Sequence, residues 1–202
     1  MLNSTVLKRA LDIRREPASL RDRYGRNLFG QSLIMGRRMI EARARFVTVI
    51  WEMCDGPAAG WDSHEQLTGS LRDFLLPGLD RGLSALLTDM QDRGLLDDTL
   101  VVTAGEMGCT PNFMNRGKHD GRDHWSYCFL AVLAGAGVQG GHDLRSFRQT
   151  RSLPSRSPRL LLRSCGDSVS FSRQRPHGFI PDRQGRPVEL ASGGRVLEEI
   201  FA

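Results

Sequence analysis

The sequence predicts an α/β fold, and three features support this prediction. Residues 45–52, RFVTVIWE, are β-branched and almost continuously apolar, as expected of a strand buried on both faces in a parallel sheet. Residues 66–93 place apolar side chains at steps of three and four, which predicts a long amphipathic helix that ends before Gly94. Two further apolar runs, TLVVTAGE at 99–106 and YCFLAVLAG at 127–135, predict a second and a third strand.

Local signals refine this outline. A second helix is predicted over residues 28–44, where apolar residues again follow a 3.6-residue period. Pro77 is expected to kink or divide the longer helix, because proline lacks the N–H that a helix interior needs. Near the end of the chain DRQGRP, residues 182–187, predicts a turn between two short extended segments.

Composition limits the class of protein. The 202 residues, with 40% hydrophobic and 25% charged side chains, suit one globular domain. No apolar run is long enough to span a membrane, and the N-terminus lacks the apolar core of a signal peptide, so the chain as written is expected in the cytoplasm. The four cysteines show no CxxC spacing, so free thiols are expected and Cys109 is predicted to be buried and inert.

The net charge of +5 comes from one segment. Residues 142–177 hold eight arginines against Asp143 and Asp167, and eight serines, so the rest of the chain is close to neutral. An Arg-rich RNA-binding arm is one interpretation, with Phe147 and Phe171 available for base stacking. A solvated basic segment without a ligand is the favoured alternative.

Polar clusters follow the first two predicted strands, at the carboxyl ends where ligands gather in parallel α/β sheets, and a third cluster precedes the third strand and must reach the site through its loop. Carboxylates and imidazoles are the donors that divalent cations take from proteins. The alternative is that these are loop residues, with Asp62 capping the helix that begins near Gln66 and His124 bonded to a carbonyl. The clusters are Asp62 with His64, then Glu106, then His119, Asp120, Asp123 and His124.

Longer stretches carry a resemblance to a known family. GWDSH, TAGEMGCTP, GRDHW and LAGAGVQGG, in that order between residues 7 and 141, and DRQGRPVEL near the end, resemble the C-terminal half of bacterial sulfatase-like proteins of the domain of unknown function 1501 family. The resemblance implies a three-layer α/β/α sandwich of alkaline-phosphatase-like type, incomplete at its N-terminus. It also implies a hydrolase acting on phosphate or sulfate esters with a divalent ion: zinc, calcium or manganese. The implied metal ligands are Asp62, His64, Glu106, Asp123 and His124.

The departures from the family pattern shape the remaining expectations. Relatives are about twice as long and exported, so this chain is expected to be a fragment that is inactive alone, and a non-catalytic remnant is the alternative. Cys109 stands where the family motif has arginine, and a thiol cannot replace its fork of donors. The expected organisation is 1–141 as the C-terminal half of the domain, 142–177 as an irregular segment, and 178–202 as its tail.

The 142–177 segment is interpreted as an out-of-frame translation, because its composition changes abruptly between family-like flanks. Sequencing the coding DNA tests this hypothesis: an alternative frame across the segment should encode apolar-periodic sequence. If neither alternative frame does so, the hypothesis fails.

Overall fold

The computed structural model describes residues 5–51, 60–113, 120–126, 130–141 and 179–189. The Arg/Ser-rich segment 142–177 therefore lies outside the described residues, as does His119. The chain divides into two compact units, Met1–Leu95 with Asn112–Asp123 and Leu96–Pro111 with His124–Ala202. Among the helices of the described ranges, none is long and apolar enough to cross a membrane.

The first unit is helical in its described part. The helix Leu28–Glu41 packs against the helices Thr5–Leu11, Ala18–Tyr24 and Leu76–Asp92. Its first turn is capped by Asn27, whose side chain accepts a 2.7 Å hydrogen bond from the Gly30 amide. The predicted helix at 28–44 is confirmed, although it ends three residues early. The helices are α1 Thr5–Leu11, α2 Ala18–Tyr24, α3 Leu28–Glu41, α4 Leu67–Ser70 and α5 Leu76–Asp92.

The predicted long helix is also confirmed, and its α-helical pattern is interrupted by a π-helical turn just before Pro77. A π-helical turn, Leu71–Leu75, joins α4 to α5 and places Pro77 in the first turn of α5, where a missing N–H costs little. Beyond the end of α5, Gly94 takes a φ of +65°, the left-handed conformation that closes a helix.

The predicted strand at 45–52 is not formed in the part of it that is described, residues 45–51. Val47 and Val49 face α3, where the missing side chain of Gly36 lets them approach. Phe46 and Ile50 alternate with them and are 86% and 70% exposed. The segment is thus half-buried on one face and exposed on the other, and no neighbouring strand among the described residues supplies a hydrogen-bonding partner.

The second unit contains small antiparallel sheets, so the expected parallel arrangement is wrong for these strands. β1 Val101–Ala104 pairs with β4 Ala131–Ala134, and β2 Gly108–Cys109 pairs with β3 His124–Trp125. Parallel neighbours need a long crossover, usually a helix, and the described residues between β1 and β4 form no helix. The described protein is therefore a mixture of helices and small antiparallel sheets.

The predicted turn at 182–187 is confirmed. β5 Phe179–Pro181 and β6 Pro187–Glu189 form a hairpin. The Asp182 side chain accepts hydrogen bonds from the amides of Gln184 and Arg186 at 2.8 and 2.9 Å. Gly185 supplies the positive φ that the turn needs.

Candidate metal centre

Aromatic packing fixes the loop that carries Asp62 and His64. Trp51 stacks on Phe29 of α3, with ring centroids 4.1 Å apart, and meets the edge of Trp61 at 5.4 Å. Gly78 of α5 makes room for Trp51, since a Cβ there would lie 2.7 Å from the indole ring. The residue before Asp62 is thereby tied to the helices of the first unit.

A second segment, residues 120–123, lies against the start of α4. The Asp120 carbonyl accepts from the Leu67 amide at 3.0 Å, and its carboxylate accepts from the amide and the hydroxyl of Thr68, at 2.9 Å for the amide. Asp120 therefore caps the helix, the role that the alternative interpretation gave to Asp62.

Gly121 makes the closest approach between these two segments. A Cβ at this position would lie 1.6 Å from the carbonyl oxygen of His64, which is far inside van der Waals contact. Only glycine allows the two backbones to pass at this distance. The side chain of Asp123, two residues further on, reaches the His64 ring.

The structure brings three predicted ligands together around one imidazole. His64 Nε2 lies 3.0 Å from Asp62 Oδ1, and His64 Nδ1 lies 3.1 Å from Asp123 Oδ1. All three side chains retain partial access to solvent. The His64 ring therefore has a carboxylate oxygen within hydrogen-bond distance of each nitrogen.

The number of hydrogen-bond donors on His64 favours a cation at this site. A neutral imidazole has one N–H and one lone pair, so it can donate to only one of two carboxylates. The other nitrogen then directs its lone pair at a carboxylate oxygen, which is repulsive unless a proton or a metal ion lies between them. Two donor atoms each about 2.1 Å from one ion and about 90° apart, as in octahedral coordination, lie about 3.0 Å from each other, which matches the Nε2–Oδ1 distance.

Glu106 and His124 belong to the second unit, and their role as ligands stays a prediction. Glu106 is exposed in the turn between β1 and β2. His124 begins β3 directly after Asp123 in the chain, and its backbone pairs in register with Cys109. Cys109 is an exposed free thiol, so the expectation that it is buried was wrong: it lies on a two-residue strand with little to cover it.

The hydroxyl of Ser63, next to His64 in the chain, does not have the surroundings of a nucleophile. Ser63 is buried, and its hydroxyl donates to the carbonyl of Trp61, at 3.5 Å. This bond closes a local turn of the loop, a common role for serine.

Comparison with known proteins identifies the family. The profile of the family described as Protein of unknown function (DUF1501) matches residues 3–201. The chain belongs to this family. Neither the curated proteins nor the solved structures compared with the chain gave a match. The DUF1501 match covers the quoted motifs on which the resemblance rested, and its description carries no activity.

Proposed function

We propose that this DUF1501 protein is a metal-dependent hydrolase of the phosphatase or sulfatase type, acting on phosphate or sulfate esters. The observation that carries the proposal is His64 held between the carboxylates of Asp62 and Asp123, at 3.0 and 3.1 Å. We also propose that the family's fold is an α/β/α sandwich, as the resemblance implies.

Each residue of the cluster has a distinct task in this proposal. Asp123 accepts a hydrogen bond from Nδ1–H, which fixes the tautomer and leaves the Nε2 lone pair available on the side of Asp62. Asp62 and His64 Nε2 then hold the ion, and Glu106 and His124 remain predicted ligands. A divalent ion in such a site neutralises the charge that develops on the ester oxygens.

Metal binding tests the proposal directly. The metal-free chain is titrated with Zn²⁺, Mn²⁺ and Ca²⁺ against a chromophoric chelator, and we expect one site. His64→Ala should weaken binding about 100-fold or more because it removes a ligand, whereas Asp123→Asn should weaken it about 10- to 100-fold because it removes only the orienting bond. The bound form is then assayed on an aryl phosphate and an aryl sulfate.

A carboxylate outside the cluster provides the control. Asp73 is exposed and paired with Arg72, so Asp73→Asn changes the net charge by the same amount as Asp123→Asn without touching His64. It should leave metal affinity unchanged. The absence of a stoichiometric site, or equal binding by the wild type and His64→Ala, would refute the metal centre; tight binding without hydrolysis of either ester would refute the activity alone.

A non-catalytic remnant is the second candidate, and exposed apolar residues favour it. Phe46 and Ile50 lie on the open face of segment 45–51, where exposed backbone and side chains invite association. We expect the purified chain to self-associate in light-scattering measurements, and Phe46→Lys with Ile50→Lys to reduce this. A monodisperse monomer that unfolds cooperatively would contradict the remnant hypothesis.

A further inference from the structure

A groove in the first unit lies next to the His64 cluster but has a different lining. It is a shallow groove, open to solvent, of about 730 Å³, and it is lined mainly by apolar side chains of α4, the π-helical turn and α5, together with Phe113. Its volume is within the range of small-molecule sites, roughly 300–1,000 Å³. None of the residues in the His64 cluster lines it.

Arg122 is the charged residue that sets the chemistry of this groove. Its guanidinium carbon lies 4.5 Å from the centre of the Phe113 ring, so one face of the cation is covered by an aromatic surface. Its Nε is buried without a hydrogen-bond partner, and no carboxylate among the described residues forms an ion pair with it. The remaining donors of the guanidinium are suited to an anionic oxygen pair.

The other charges at the groove do not compensate Arg122. Arg72 donates to both carboxylate oxygens of Asp73, at 2.6 and 2.8 Å, so its charge is already paired. Asp80 is exposed at the lining and forms no ion pair with a described residue. Among the described residues, the groove therefore combines an apolar surface with one unpaired cation, Arg122, and one unpaired carboxylate, Asp80, so an anionic group is expected at the guanidinium and not beside Asp80.

We propose that this groove binds a small aromatic anion. The ring lies against Leu71, Leu76 and Phe113, and the carboxylate or phosphonate group bonds to the guanidinium of Arg122. A flat apolar wall recognises the ring by burial, while the planar fork of arginine recognises the paired oxygens. This site goes beyond the proposed hydrolase, because it requires neither a metal ion nor the His64 cluster.

The groove is tested with phenylphosphonate, which carries both an aromatic ring and an anionic group. Binding to the full chain is measured by calorimetry in the presence of EDTA, so that metal binding does not contribute. Methylphosphonate keeps the anion without the ring, and benzyl alcohol keeps the ring without the charge. We expect each of them to bind at least about tenfold more weakly than phenylphosphonate, because each lacks one half of the recognition.

Two arginine variants separate the site from a general effect of positive charge. Arg122→Gln should weaken phenylphosphonate binding about tenfold or more, whereas Arg72→Gln, which removes a paired charge at the same groove, should change it less than about threefold. Leu71→Trp fills the groove without changing any charge and should also abolish binding. Circular dichroism verifies that each variant is folded.

Several results would overturn the inference. These are no binding of phenylphosphonate, equal binding of methylphosphonate, or equal losses in Arg122→Gln and Arg72→Gln. If Arg122→Gln does not fold, binding that survives Leu71→Trp has the same meaning. Because EDTA is present throughout, loss of the proposed hydrolase activity leaves this result unaffected, and loss of groove binding leaves the metal titration unaffected.

Discussion

Arg37→Leu is expected to lower the free energy of unfolding by about 3–5 kcal/mol, the usual cost of removing one partner from a buried ion pair. The Arg37 side chain has no exposure to solvent. It contacts Glu16 and Asp89 at 3.0 Å each and Glu41 at 2.5 Å. Leucine would leave the buried carboxylates of Glu16 and Asp89 with one cation fewer to balance their charge.

The size of this effect depends on how the surrounding charges are arranged. Arg93 bonds to Asp89 and Glu41 at 2.8 and 2.7 Å, and the Tyr24 hydroxyl donates to Asp89 at 2.9 Å. Arg38 donates to Glu16. Three arginines thus face three carboxylates. These ion pairs connect the turn before α2, which carries Glu16, to α3 and to the C-terminal end of α5. Loss of the central cation disturbs a network that neighbouring side chains cannot rebalance.

Urea unfolding monitored by tryptophan fluorescence measures this loss. Arg72→Leu is the matched control, because its partner Asp73 is exposed and the pair is solvated, so the unfolding midpoint should stay near that of the wild type. If the free energy of unfolding of Arg37→Leu lies within about 1 kcal/mol of the wild-type value, the network does not stabilise the fold as described.

The same network predicts how stability depends on pH. Burial alone would raise the pKa of Glu16, but hydrogen bonds from Arg38 and Arg37 outweigh it and lower the pKa below the ordinary 4.5. Burial would likewise raise the pKa of Asp89. Hydrogen bonds from Arg93 and Tyr24 outweigh this effect and lower the pKa below the ordinary 3.8. A lowered folded-state pKa contributes stability above the unfolded value and loses it as pH falls. Stability should therefore decline as the pH drops through about 4.5 and below, and less so in Arg37→Leu.

The helices were predictable because they are local. In α3 and α5 the apolar residues recur every three or four positions, so they lie on one face of the helix. This pattern can be recognised from residues that are close together in the sequence. Arg37 was not predictable, because a charged residue beside Leu33 and Ile34 is ordinarily expected at the solvent edge. Its burial depends on Glu16 and Asp89, which come from other elements.

The strands were predictable only in position. Apolar runs located β1 and β4, but the pairing direction depends on which strand lies alongside, and sequence periodicity does not encode this. Residues 45–51 show the consequence, since a β-branched run became an extended segment with Phe46 exposed. Strand propensity reflects how well side chains fit the surface of a sheet. It does not indicate whether a neighbouring strand is present to pair with the segment.

The candidate site was partly predictable, and the missing part is geometric. The family resemblance implied Asp62, His64 and Asp123 as ligands, and the structure places these three together. The resemblance did not indicate that Asp120, which is 52 residues from Thr68 in the sequence, caps α4. Contacts of this kind depend on how closely two backbone segments approach each other. Here the approach is possible because residue 121 is glycine.

Gly121→Ala is therefore expected to have the second large effect, on stability and on metal binding together. A Cβ at residue 121 would lie 1.6 Å from the His64 carbonyl oxygen and 2.4 Å from its carbon. Both are backbone atoms, so no side-chain rotation relieves the overlap, and one segment must move away. We expect a loss of about 2–3 kcal/mol or more in the free energy of unfolding.

Movement of this segment should reach the His64 ring, because Asp123 lies only two residues beyond Gly121 and is 3.1 Å from Nδ1. Metal affinity should fall by about tenfold or more even at temperatures where the variant remains folded, because the orienting carboxylate is displaced. The chelator titration and urea unfolding, performed on the same samples, distinguish this local effect from global unfolding.

Gly69→Ala is the control for the substitution itself. Gly69 lies in α4, a few residues from the same contact, and a Cβ there meets no atom within 4 Å. Alanine favours the helix over glycine, so this variant should be more stable by about 0.5–1 kcal/mol and should bind metal as the wild type does. If Gly121→Ala behaved in the same way, the close approach of residue 121 to His64 would not exist in solution, and the placement of Asp123 beside the imidazole would have to be rejected with it.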